Sequence, residues 1–149
     1  MNKLEHALFQ VSLKLIVKNR KGEFLLLKNP DSSSMPGYYD LAGGRIKIHE
    51  IATSFRKVID REVKEELGKD VKYQLIESPV AIGRHPPSSP EKPYMLWVFF
   101  VAEYLSGKIT VSEEHVNYVW AKLNKNNLKK YFIKGPLEGM KSYFSGKYD

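Results

Sequence analysis

The chain has 149 residues with 24 lysines and arginines against 17 acids, a net charge of +7, and contains no cysteine. At 42% hydrophobic and 28% charged, this composition excludes collagen-like, low-complexity and wholly disordered chains and fits one globular domain spanning residues 1–149. Without cysteine there is no disulfide framework, thiolate zinc site or thiol nucleophile. No apolar run reaches membrane-spanning length, and the opening residues lack the features of a secretory leader, so a cytoplasmic protein is expected.

Gln10 to Lys18 alternates and is rich in Val, Leu and Ile, Asn19-Arg20-Lys21-Gly22 supplies a turn, and Phe24 to Leu27 is apolar. A β-hairpin follows from that pattern. Asn29 to Tyr39, with two prolines and three serines, reads as a loop leading to a short strand that ends at Gly43-Gly44. Phe55, Val58, Ile59, Val63 and Leu67 stand at helical spacing behind Ser54 as cap, and Gly68 closes that helix.

Val71 to Ile82 and Tyr94 to Leu105 are expected as long strands, joined by a stretch with four prolines that is neither helix nor central strand. Arg84 and His85, just before those prolines, read as a polar loop tip. Val116 to Ala121 is a further short strand. Lys125 to Phe132 and Pro136 to Phe144 read as helices broken at Gly135-Pro136, with the proline at the first helical position. Strands, helix, strands and terminal helices predict an α/β sandwich with a mixed sheet.

The basic excess is concentrated at the end, where residues 121–149 carry seven basic and two acidic side chains. A solvated helix face explains Lys122, Lys125, Lys129, Lys130, Lys134 and Lys141, which leaves nucleic acid a disfavoured partner.

The chemistry is concentrated in Gly44 to Glu50 and in Arg61-Glu62-Val63-Lys64-Glu65-Glu66-Leu67-Gly68. On a helix, Glu62, Glu65 and Glu66 fall within an arc of roughly 100°. Glu62 and Glu66 repel at i, i+4 on a bare helix, a penalty that a bound cation reverses. Clustered carboxylates suit hard divalent ions, above all Mg²⁺ or Mn²⁺. Three acids at these offsets are weak evidence alone; with Arg before and Gly after, chance gives only about 5 in 10,000 such sequences.

This segment resembles the signature of the Nudix hydrolase family, Gly-x5-Glu-x7-Arg-Glu-U-x-Glu-Glu-x-Gly-U with U aliphatic. Here it reads Gly44-x5-Glu50-x10-Arg61-Glu62-Val63-x-Glu65-Glu66-x-Gly68, with Lys69 at the last aliphatic position and three extra residues in the spacer. The resemblance covers most of the chain and implies an α/β/α sandwich with a loop-helix-loop catalytic box of the MutT-like kind. It implies a Mg²⁺-dependent (or Mn²⁺-dependent) hydrolase that cleaves a pyrophosphate bond in a nucleoside diphosphate linked to another moiety, nucleoside triphosphates included. Glu62, Glu65 and Glu66 would be metal ligands and, with Arg61, catalytic residues. Gly43, Gly44, Glu50 and Gly68 would shape the box, with Arg61 pairing with an acid such as Glu50. Glu113 and Glu114 are candidates for an additional base, and Arg84 and Tyr39 for substrate contacts. The expected partner is a small nucleotide, and the chain a monomer or homodimer. The competing reading is a non-catalytic nucleotide or RNA sensor on the same fold, with a plain interaction domain third.

Overall fold

The computed structural model describes residues 5–146. The core is an eight-stranded mixed sheet built around β1 (Gln10–Lys18) and β7 (Met95–Ser106). These two run parallel in unbroken register from Gln10↔Met95 to Lys18↔Glu103. β2 (Phe24–Lys28) meets β1 antiparallel at Lys18↔Phe24, and its flanks take β3 (Tyr39–Asp40) and β8 (Tyr118–Ala121). β4 (Ala42–Arg45) lies antiparallel to β1. β5 (Lys72–Leu75) and β6 (Ala81–His85) are both antiparallel to β7.

β1 is buried almost from end to end because helices cover both faces of the sheet. Leu13, Leu15 and Val17 face α1 (Phe55–Leu67), together with Val58, Ile59 and Phe100. Ile16 faces the opposite layer with Phe99, Phe132 and Met140, which is closed by α2 (Leu128–Tyr131) and α3 (Lys134–Ser145). The result is the expected α/β/α sandwich. Ser54 caps α1 by accepting from the Lys57 N–H, and Gly68 ends it at φ +92°.

Four local expectations are corrected. The strand expected over Val71 to Ile82 is two strands, since Ser78-Pro79 interrupts the ladder and proline has no N–H to donate. β6 continues through Arg84 and His85, so these are strand residues rather than a loop tip. Finally, α3 begins at Lys134, with Pro136 at its third position. The first four helical N–H groups have no partner within the helix, so proline is tolerated there too. The helix expected over Lys125 to Phe132 contracts to the single turn Leu128–Tyr131.

Candidate active site

The buried stripe of α1 runs Val58, Ile59, Glu62, Val63, Glu66, Leu67. Two carboxylates thus occupy positions that helical periodicity assigns to the packed face. Glu62 is 7% and Glu66 5% exposed, while Glu65, one step round the helix, faces solvent. Space for them comes from the glycine strand. A Cβ on Gly44 would lie 2.5 Å from Glu62 Oε1, and the Gly43 N–H donates to Glu66 Oε2 at 2.8 Å. Gly44→Ala is therefore expected to keep the fold, because only a side-chain end must move, yet to lower turnover about tenfold. Steady-state kinetics beside a melting curve checks this.

Arg61 clasps the box. Its Nε and Nη2 donate to the two oxygens of Glu50 at 2.6 and 2.7 Å. Nη1 donates to Glu62 Oε1 at 2.7 Å and Glu65 Oε2 at 3.1 Å, and Nη2 also donates to the Arg45 carbonyl at 3.4 Å. All five guanidinium N–H bonds are thereby used, which leaves none for a phosphate. Ile48–Glu50 forms a 3₁₀ turn, with the Glu50 carboxylate accepting from the Lys47 N–H. The three extra spacer residues are taken up between that turn and Ser54, and Glu50 still reaches Arg61.

Electrostatics separates the acids. Arg61 and the Lys47 N–H hold Glu50 down to about 2. Burial pushes Glu62 upward against the pull of Arg61. It pushes Glu66 up to about 8, opposed by Lys14 and the Gly43 N–H. Glu62, Glu65 and Glu66 line a cleft of about 310 Å³ with Ser112, Glu113 and Glu114. The structure therefore brings the loop before β8 to the carboxylate helix.

Among the described residues, no three acid or histidine side chains are arranged as a finished metal cage. In this arrangement Arg61 takes one oxygen each of Glu62 and Glu65, and the Gly43 N–H takes one of Glu66. The set fits a hard divalent cation in its chemistry. It offers only carboxylate oxygens, one per residue is outside those bonds, and two of the carboxylates are buried where a cation would offset the cost of their charge.

Other candidates lie elsewhere. Arg84 is exposed and pairs with Glu138 at 3.1 Å. Tyr39 is half-buried, edge-on to Tyr131 with ring centroids 5.9 Å apart. Trp97 is 4% exposed in the core. Lys14 was missed by the sequence reading. It is 5% exposed, bonds to both Asp40 oxygens at 3.3 Å, and lies 4.2 Å above the centre of the Trp97 ring. The available signal was a lone lysine inside the apolar run Val11 to Val17.

An α/β/α sandwich thus sets a carboxylate-lined helix against a glycine turn, clasped by one arginine. The NUDIX domain model matches residues 8–138, and the chain belongs to that family and is a pyrophosphohydrolase. Nudix hydrolases generally need a divalent metal and act on small nucleotide substrates. Among curated relatives, nucleoside triphosphatase NudI of Klebsiella pneumoniae (strain 342) is 27% identical over 117 residues, 74% of this chain and 79% of that protein. NudI of Escherichia fergusonii is 28% identical over 107 residues, 68% and 74% of the two chains. In fold, the chain is similar to the MutT protein from Methanosarcina mazei Go1, with a TM-score of 0.69, 23% identity and coverage of 96% and 94%. It is also similar to the E. coli ORF135 protein, with a TM-score of 0.67, 21% identity and coverage of 97% and 94%. No helix of the described residues is long and apolar enough to cross a membrane.

Proposed function

We propose that this chain is a Mg²⁺-dependent hydrolase, with Mn²⁺ able to substitute, that cleaves the pyrophosphate bond of a nucleoside diphosphate linked to another moiety. Nucleoside triphosphates are included, and the chain works in the cytoplasm as a single domain, monomeric or homodimeric. The observation that carries this reading is the pair of buried carboxylates, Glu62 and Glu66, opening into a cleft that Glu65, Glu113 and Glu114 complete.

Glu62, Glu65 and Glu66 would hold the metal. Bound there, the ion would neutralise the diphosphate and lower the pKa of an attacking water. Glu66, buried beside the cleft, is placed to take the proton from that water. Glu113 or Glu114, across the same cleft, is the alternative base. Arg61 keeps Glu62 and Glu65 in place and spends its donors inside the box, so its part is to position rather than to bind substrate.

The test is a panel of nucleoside triphosphates, nucleotide sugars, ADP-ribose and dinucleoside polyphosphates, followed by phosphate and nucleotide release with Mg²⁺, with Mn²⁺ and with EDTA. The expected result is cleavage of one class that vanishes in EDTA. Binding of panel members without cleavage under any metal would overturn the proposal in favour of a sensor.

A further inference from the structure

The carboxylate cleft has a counterpart of opposite charge. A groove of about 320 Å³ is lined by Arg45, Lys92, Lys134 and His85, with Ser34 and Ser88, and no acid lines it. Strand β4 joins the two pockets. The missing Cβ of Gly44 faces Glu62, whereas its neighbour Arg45 lines the groove. Successive strand residues point to opposite faces, and β4 is hydrogen-bonded to β1 alone among the described strands, so a nucleotide-sized molecule passing over its free edge could reach from the cleft into the groove.

The groove is built around His85, which is 6% exposed. Its Nδ1 accepts the Gly135 N–H at 3.2 Å, which places the ring proton on Nε2. The ring cannot turn freely, because it stacks on Trp97 with centroids 4.6 Å apart. Among the described residues Nε2 has no partner, so a buried imidazole presents one fixed N–H donor at the groove. Burial lowers its pKa to about 4, so it remains neutral at physiological pH.

Two of the cations around it are anchored by hydrogen bonds. Lys134 sits at φ +54°, a left-handed conformation that side chains of its kind rarely adopt, and its Nζ donates to the Ser34 carbonyl at 3.2 Å. Arg45 Nη1 donates to Gln10 Oε1 at 2.9 Å, while the Arg45 carbonyl accepts from Arg61. One guanidinium, two ammonium groups and a fixed neutral N–H, with no carboxylate among them, form a receptor for a phosphate group.

We propose that this groove binds a phosphate on the part of the substrate remote from the carboxylate cleft, so that the preferred substrate carries one phosphate group besides the diphosphate that is cleaved. The role toward substrate rests on the hydrolase reading, whereas the phosphate site stands on the groove itself.

The test uses the full chain in EDTA, where the acidic cleft repels anions, titrated with inorganic pyrophosphate and followed by NMR of the Trp97 indole and the His85 ring. Saturable shifts at both are expected. Lys92→Gln combined with Lys134→Asn should weaken binding at least about tenfold without lowering the melting temperature, since Asn tolerates the left-handed backbone. With metal, KM for a nucleotide derivative bearing an additional ribose phosphate should be lower than for the same compound without it, and that preference should collapse in the double variant. Equal affinity in the variant, or shifts confined to residues 112–114, would overturn the phosphate site. Loss of pyrophosphate binding with the KM preference intact would overturn its role toward substrate. If no compound is cleaved, the hydrolase reading fails while the EDTA titration still decides the site.

Discussion

Replacing Glu66 by Gln is expected to slow hydrolysis at least about 100-fold while making the metal-free protein more stable at pH 8. Its folded pKa of about 8 lies above the ordinary value of 4.5. Between those values the folded protein holds a proton that the unfolded chain has released. Stability conferred by the protonated carboxyl is therefore complete below pH 4.5 and is lost as pH rises toward 8. At ~1.4 kcal/mol per unit, the loss is bounded at about 5 kcal/mol. Gln keeps an acceptor for the Gly43 N–H and never ionises, so the variant escapes this loss. Melting curves in EDTA from pH 5 to 8 should fall for the wild type and stay flat by comparison for the variant. Adding Mg²⁺ should restore only the wild type. Turnover near the wild-type rate would sink the assignment of Glu66, and parallel melting profiles would sink the account of its burial.

Gly139→Ala should be the most destabilising single-methyl change in the α3 layer, at about 3 kcal/mol. The added Cβ would lie 2.0 Å from Phe99 Cζ, and Phe99 is fully buried. On the strand side, a Cβ at Gly83 would lie 2.8 Å from the Gly139 nitrogen, so β6 and α3 meet backbone to backbone. Neither side has a flexible end that can give way. Urea titration measures the effect, and a midpoint within error of the wild type would refute the close approach. Because Gly135 at the start of α3 donates to His85, the same variant should also disturb the indole signal of Trp97.

The carboxylate helix was legible in the sequence because its chemistry is local. Arg61, Glu62, Glu65 and Glu66 lie within two turns, and an acid on the apolar stripe at Val58 and Val63 departs from ordinary patterning. What the sequence hid depends on partners far along the chain. Lys14 reads as an outward residue of an alternating strand until β7 and Asp40 cover it. His85 reads as a loop tip because two prolines follow it, yet pairing with Met95 carries the strand through it. The close approach at Gly139 depends on Phe99 of β7 and Gly83 of β6, which nothing near it in the chain announces. The single long strand expected before the prolines ignored Pro79, whose missing N–H divides it.

The parallel pairing of β1 with β7 also governs when the site comes into being. Gln10 finds Met95 only after more than half the chain separates them, so closing that loop costs entropy before any contact rewards it. As the polypeptide emerges from the ribosome, β1, β4 and α1 are synthesised early, but the strand that completes the central ladder and the Ser112–Glu114 side of the cleft come later. An unfinished chain would therefore expose the apolar faces of β1 and β2 and possess no working cleft. Folding should be slow for a chain of this length, governed by a late long-range step, with catalytic competence and global stability appearing together rather than in sequence.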